Sequence, residues 1–165
     1  MKKNLLKLIC LVMSMVLCLG LCACGAEEDQ TIIVDGLTLT LPANFQKSDE
    51  AAAGSDQLFV YATRTQVVMG LKEEKSLFES YGMDLSLDDY ANLIISVYEL
   101  DAAVEYVGGI PTVTFTSDVN GTTYKYIAAM YESNSAFWML QCSCEADNFE
   151  RYYEDFITYL TSVKV

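Results

Sequence analysis

Histidine is absent from the 165 residues of this chain. Without an imidazole, the protein cannot form a Ser-His-Asp or Cys-His nucleophilic site, or a zinc site of the HExxH type. It also lacks the side chain whose charge changes most readily near neutral pH. An enzyme built on this chain would depend on carboxylates, tyrosines or thiols, and no catalytic constellation of these residues stands out in the sequence.

Basic residues are also scarce, since ten Lys and Arg stand against 23 Asp and Glu. Lys2, Lys3 and Lys7 lie at the N-terminus, so residues 24–165 carry seven basic and all 23 acidic residues, a net charge of −16. Nucleic-acid binding depends on Lys and Arg contacts to phosphate, and we therefore expect no nucleic-acid partner. Acidity of this kind most simply keeps an exported domain soluble. Binding of a cation or of a basic partner is the alternative.

The uncharged apolar run at residues 8–21 is shorter than the roughly 20 residues that a membrane-spanning helix needs. It follows the three N-terminal lysines and ends in small residues. A charged start, a short apolar stretch and small residues at the cut are typical of a secretory signal peptide. We predict that residues 1–23 are such a signal, with an uncleaved membrane anchor as the alternative.

The sequence Leu21-Cys22-Ala23-Cys24-Gly25, at the end of this run, resembles a bacterial lipobox. The resemblance implies that Cys24 becomes the new N-terminus and carries a thioether-linked diacylglycerol. Two acyl chains anchor a protein stably, whereas one chain binds a membrane only marginally. The prediction is a domain held on the outer face of the cytoplasmic membrane through lipid on Cys24, with residues 24–30 as a short tether.

Two cysteines, Cys142 and Cys144, remain once the signal peptide and Cys24 are set aside. In an extended strand their Cα atoms would lie about 6.6 Å apart, at the far edge of disulfide geometry. Two thiolates without histidine or further cysteine would leave a zinc site half complete. We predict free, buried, unreactive thiols and no metal or cofactor. A strained redox-active disulfide and a metal-binding pair stay open as alternatives.

Short β-prone segments separated by turn signals fill much of the chain. Asp35-Gly36 and Asn120-Gly121 are typical of two-residue hairpin turns. In residues 137–144 both alternating sets of positions begin with apolar side chains, which indicates a strand that is covered on both faces. These patterns predict a largely antiparallel sheet with a layer on each side.

Two amphipathic helices are predicted to supply those layers. Ser86 can cap a helix whose apolar residues recur at helical spacing from Tyr90 to Tyr98. Asp147 and Glu150 form a capping-box pattern ahead of an aromatic helix at the end of the chain. The predicted fold class is α+β, with one globular domain over residues 31–165.

The order of these elements resembles the Mog1/PsbP-like group of α/β/α sandwich domains. The segments that carry the resemblance are GLTLTLPANF, SLDDYANLIISVY, the run from VGGIPTVTFTSDVNG to FWMLQCSC, and DNFERYYEDFITYL. The resemblance covers about residues 31–165 and rests on structural patterns, not on catalytic signatures. Members of the group include a Ran-binding protein and photosystem II accessory subunits, so the resemblance implies a binding or assembly module. No binding residue of those proteins matches a position in this sequence.

We therefore expect a non-catalytic module that recognises a protein or an envelope component. Exposed tyrosines would be its contact residues, because tyrosine combines a large contact area with a polar tip. The candidate partner-binding residues are Tyr106, Gly108, Gly109, Tyr124, Tyr126 and Tyr131. Two alternatives stay open, a carrier of a small apolar ligand or lipid and an enzyme that uses carboxylates or the thiols of Cys142 and Cys144.

Overall fold

The computed structural model describes residues 28–49 and 58–165. Cys24 and the predicted signal peptide lie outside the described residues. The first strand begins at Asp29, so regular structure starts two residues before the predicted domain boundary at Thr31. Gln30, predicted to belong to the tether, is held in the fold because its Nε2 donates to the carbonyls of Pro42 and Phe45, at 3.0 and 2.7 Å. No helix within the described ranges is long and apolar enough to cross a membrane.

The described ranges contain nine strands, three α-helices and a short 3₁₀ turn at Ala146–Asn148. The strands are β1 (Asp29–Val34), β2 (Leu37–Pro42), β3 (Gln46–Lys47), β4 (Phe59–Ala62), β5 (Val67–Glu74), β6 (Val104–Val107), β7 (Ile110–Val119), β8 (Thr122–Glu132) and β9 (Ala136–Glu145). The helices are α1 (Lys75–Ser80), α2 (Leu87–Val97) and α3 (Phe149–Thr161).

Seven strands form one sheet in the order β3-β4-β5-β9-β8-β7-β6, and β1 and β2 form a separate two-stranded hairpin. Every neighbouring pair in both sheets is antiparallel. The chain crosses from β5 to the far edge at β6 through α1 and α2, and then returns strand by strand to β9. The prediction of an α+β fold with a largely antiparallel sheet is confirmed.

Two predicted hairpin turns have the expected backbone. Asp35 and Gly36 have φ angles of 49° and 97°, and Asn120 and Gly121 have φ angles of 52° and 84°. A type I′ turn needs positive φ at both central residues, which asparagine, aspartate and glycine tolerate best. The second of these turns fixes the register of β7 against β8.

Each face of the large sheet is covered by its own layer, as the sequence predicts. On one side lie the β1–β2 hairpin and α3, which bury residues such as Leu39 and Phe156. On the other side lie α1 and α2, which bury residues such as Phe78 and Tyr90. The two faces are called the α3 face and the α2 face below.

The N-terminus of α2 is capped as predicted, whereas the start of α3 is not. Ser86 Oγ accepts from the Asp89 amide at 3.2 Å, and the Ser86 amide donates to Asp89 Oδ2 at 3.1 Å. The Ser86 hydroxyl also donates to Asp89 Oδ2, at 2.6 Å, and this bond and the one from the Ser86 amide hold the pKa of the Asp89 carboxyl below its ordinary value. The predicted capping box of Asp147 and Glu150 is wrong, because Asp147 lies in the 3₁₀ turn and α3 begins at Phe149.

A substitution at Gly70 can test how closely the side chains of the α3 face are packed. It lies opposite Phe59 in the β4–β5 ladder, and a Cβ at this position would overlap the fully buried Phe59 ring. We expect Gly70→Ala to lower the free energy of unfolding by about 1–3 kcal/mol, because the ring must leave its packed position. Urea denaturation measures the change. Gly70→Ala combined with Phe59→Leu should lose less than the two single variants together, and an unchanged midpoint for Gly70→Ala would contradict the packing.

Candidate functional site

An open groove of about 620 Å³ lies on the α2 face, where α2 ends above the sheet. It forms because α2 stops at Val97 while the strands beneath it continue outward. We call it the α2 groove. Its lining includes Ile94, Tyr98, Glu99, Asp101, Phe115, Tyr126, Met139 and Gln141.

The floor of the groove is a cross-strand aromatic pair. Phe115 of β7 and Tyr126 of β8 are directly opposite in the ladder, and their rings stack with centroids 4.9 Å apart and an angle of 2°. Both side chains are half-buried, and burial raises the pKa of the Tyr126 phenol. Beside them, Gln141 Nε2 donates to Met139 Sδ at 3.4 Å. The floor is therefore a flat, rigid aromatic surface next to an amide.

The wall of the groove is the C-terminal end of α2, which closes in a Schellman motif. The Glu99 amide donates to the Ser96 carbonyl at 3.3 Å, and the Leu100 amide donates to the Ile95 carbonyl at 3.0 Å. Glycine usually occupies the left-handed position of this motif, but here Glu99 does, with φ 50°. A residue with a Cβ in this conformation costs roughly 1–2 kcal/mol. This strained backbone conformation places the Glu99 carboxylate at the rim of the groove.

The groove is strongly acidic. Glu99 and Asp101 lie on its lining, and the sequence from residue 76 to residue 124 contains eight Asp and Glu but no Lys or Arg. Among the described residues, the ion pairs of lysine involve Lys47, Lys72, Lys75 and Lys125, and their partners lie outside this segment. Carboxylates of one sign around a concave surface concentrate a negative potential there.

Of the tyrosines singled out from the sequence, Tyr126 is the one that lines the groove. Tyr124 is half-buried two residues along β8, so it shares the α2 face. Tyr106 is 59% exposed, and its hydroxyl donates to Asp88 Oδ1 at 2.9 Å, which joins β6 to the start of α2. This hydrogen bond raises the pKa of the Tyr106 phenol. Tyr106 therefore lies at the opposite end of α2 from the groove.

The other candidate contact residues lie elsewhere. Gly108 and Gly109 form the exposed β6–β7 turn, with φ angles of 59° and 84°. A Cβ on Gly108 would come within 3.9 Å of Thr161 Cγ2, so this turn is near the end of α3. Tyr131 is only 7% exposed, and its hydroxyl donates to the Leu160 carbonyl at 2.8 Å. The prediction of Tyr131 as a surface contact is wrong, because alternation along β8 turns it into the core of the α3 face.

Cys142 and Cys144 lie in that same core and are free thiols. Their exposed fractions are 0% and 1%. Burial raises the pKa of both thiols. Because they belong to the α3 face, they are on the side of β9 opposite the groove.

The sequence pattern did not indicate four of the groove residues as candidate site residues, namely Tyr98, Glu99, Asp101 and Phe115. The cation-free segment 76–124 was a usable signal for the acidic rim, because it can be read from the sequence alone. The pairing of Phe115 with Tyr126 was a second usable signal, because the predicted two-residue turn at Asn120-Gly121 places these two residues opposite each other. Within the described residues, no group of three or more Cys, Asp or Glu side chains is arranged to hold a metal ion.

Structural comparison identifies the fold. No protein-family model and no curated protein sequence matches this chain. The solution structure of the cyanobacterial PsbP protein CyanoP from Synechocystis sp. PCC 6803 superposes with a TM-score of 0.58 at 13% identity, over 87% of this chain and 95% of that one.

Two further structures are similar. A crystal structure from Bacteroides thetaiotaomicron gives a TM-score of 0.55 at 7% identity, over 79% of this chain and 45% of that one. LpqN, which is involved in cell envelope biogenesis of Mycobacterium tuberculosis, gives a TM-score of 0.45 at 11% identity, over 83% and 90%. The predicted PsbP-like architecture is confirmed, and this chain has a PsbP-like α+β fold.

Proposed function

We propose that this protein is a membrane-anchored, non-catalytic binding or assembly module, and that it contacts a protein or envelope partner through the α2 groove. The observation that carries the proposal is a stacked aromatic floor beside an acidic rim in one concave surface, where Glu99 and Asp101 form no ion pair with the described residues. Concave sites with aromatic lining and a few convergent polar groups are the usual form of binding sites.

Glu99 supports a binding role for this surface. A glycine at this position would relieve the left-handed backbone, yet the chain has a glutamate whose side chain is exposed at the rim. Backbone strain of this kind persists mainly where function needs it. The carboxylate at residue 99 is therefore best explained by a contact with a partner.

The shape of the groove argues against a lipid carrier. An acyl chain is stabilised by an enclosed apolar cavity, because most of its surface must leave water. The α2 groove is instead open, with a glutamine on its floor and two carboxylates on its rim. A polar, solvent-accessible groove suits an amphipathic or charged ligand better.

The lining also gives little support to an enzyme. It contains no cysteine, lysine or arginine, and the chain has no histidine. A thiol-based reaction would need an accessible thiolate, and both remaining thiols are buried with raised pKa. A reaction in the groove would therefore depend on the carboxylates of Glu99 and Asp101 and on the hydroxyl groups of the lining.

The lipid anchor would set the position of the groove relative to the membrane. Only four residues lie between Cys24 and the start of β1 at Asp29, and the five residue steps reach about 17 Å when fully extended. Partners would thus meet the domain close to the bilayer surface.

The anchor is tested by Cys24→Ser, with Cys22→Ser as the matched control. We expect Cys24→Ser to abolish partitioning into the membrane fraction, because the lipid would have no attachment site. Cys22→Ser should stay membrane-bound, because that residue leaves with the signal peptide. Membrane fractionation and intact-protein mass spectrometry make the measurement. Retention of Cys24→Ser in the membrane would contradict lipid anchoring and favour an uncleaved anchor.

The thiols are tested with an aromatic disulfide reagent. We expect Cys142 and Cys144 to be unreactive in the native protein and to titrate as two thiols in urea, because burial denies the reagent access. Rapid native reaction would instead support a thiol-based function. Two thiols that appear in urea only after reduction would reveal a disulfide.

The groove is tested by site-specific photo-crosslinking in intact membranes. A benzophenone amino acid would replace Tyr98, which is 55% exposed in the groove, or Tyr81, which is 75% exposed directly after α1 and outside the groove. We expect a discrete crosslinked product from position 98, absent from position 81 and weakened by Glu99→Gly. Glu99→Gly should not destabilise the fold, because glycine suits the left-handed position. Equal products from both positions, or none from position 98, would overturn the proposal.

A further inference from the structure

The outer edge of β7 is only partly covered. β6 pairs with Ile110–Val113, whereas β8 pairs with β7 as far as Val119. In the part of the chain that the structure describes, Thr114–Val119 therefore has a strand on one side and none on the other. Six residues of β7 form an open sheet edge.

The register shows which backbone groups this edge presents. The two-residue turn at Asn120-Gly121 makes Val119 and Thr122 a hydrogen-bonded pair, and the pairs then alternate along the antiparallel ladder. The backbone N–H and C=O groups of Thr114, Thr116 and Asp118 consequently point away from β8. They are spaced to pair with an added antiparallel strand.

This edge lacks the features that usually prevent strand addition. Natural sheets protect their edges with lysine, proline, bulges or very short strands. Thr114–Val119 contains neither lysine nor proline, and its pairing with β8 is continuous. An edge left open in this way is a surface for a partner strand.

The α2 groove runs beside the same edge. Phe115, Thr116 and Ser117 belong both to the edge and to the groove lining. Alternate side chains of an added strand would therefore lie against Tyr98 and the rim carboxylates. Arginine fits this position, because its guanidinium stacks on aromatic rings and pairs with carboxylates.

Charge selects among the possible occupants. A second copy of this chain would bring another acidic segment 76–124 against the first, with no Lys or Arg in either segment. Such like charges would oppose an edge-to-edge dimer. A basic strand would instead be attracted by Glu99 and Asp101, which line the groove.

We propose that Thr114–Val119 and the α2 groove together bind an extended basic segment of a partner protein, which adds to the sheet as an antiparallel β-strand next to β7. This inference rests on the proposed function, since it names the chemistry of the partner that the groove receives. It adds that the contact is made through the backbone as well as through side chains.

The test uses the full-length lipoprotein in detergent micelles and a fluorescent, end-capped heptapeptide of alternating Arg and Val. We expect saturable binding by fluorescence anisotropy that weakens with added salt, and none by the matching Glu-Val peptide. Thr116→Pro removes one outward N–H and should weaken binding at least tenfold. Thr116→Ala keeps that N–H and should bind within twofold of the original chain.

Peptide chemistry supplies a second readout that does not depend on the folding of a proline variant. Only alternate amides of an added strand point toward β7. N-methylation of either the Arg or the Val residues should therefore abolish binding in one version and spare it in the other. Hydrogen exchange should show that the bound peptide protects the amides of Thr114, Thr116 and Asp118.

Failure of this inference can be distinguished from failure of the proposed function. Equal binding by Thr116→Pro and Thr116→Ala, or by both methylated peptides, would overturn strand addition. So would an absence of Arg-Val binding while the crosslink from position 98 persists, and in that case the groove would keep its proposed role. A dimer in light scattering that Thr116→Pro converts to a monomer would make a second copy the occupant and overturn the basic partner.

Discussion

Strand β9 lies near the middle of the seven-stranded sheet, between β5 and β8, and both of its faces are buried. Trp138 and Leu140 point into the core beneath the hairpin and α3, and Phe137 and Met139 point into the core beneath α1 and α2. Both cores therefore depend on β9, which contributes side chains to each of them. The two layers are therefore obligatory, because a sheet with two apolar faces must exclude water from both.

The groove follows from unequal covering of these two faces. The hairpin and α3 together cover the α3 face, and the C-terminal Lys164 pairs with Thr38 of the hairpin through two backbone hydrogen bonds of 2.8 and 3.0 Å. The α2 face depends on two shorter helices, of six and 11 residues. Beyond the end of α2, the stacked rings of Phe115 and Tyr126 form a half-buried aromatic surface.

Charged residues are also distributed unevenly between the two faces of the sheet. Lys125 contacts Glu150 of α3, and Lys72 joins the sheet to Asp35 of the hairpin. Two of the four ion-paired lysines in the described residues thus attach the α3 layer, whereas the segment 76–124, which carries α2 and β7, contains no Lys or Arg. The carboxylates at the α2 groove therefore concentrate a negative potential on that side of the sheet.

Features that depend on near neighbours in the chain follow directly from the amino-acid sequence. The turns at Asp35-Gly36 and Asn120-Gly121, the Ser86 cap and the two-sided burial of β9 could all be predicted, because backbone preference and alternation are local. The capping box predicted at Asp147 was wrong, because this residue lies in a 3₁₀ turn and does not cap α3. Tertiary packing, by contrast, places Tyr131 in the core and Tyr126 in a groove, and it leaves the end of β7 without a pairing from β6. These outcomes depend on which layer covers each face of the sheet and on where a helix ends over it, and both are set by packing between residues that are far apart in the chain.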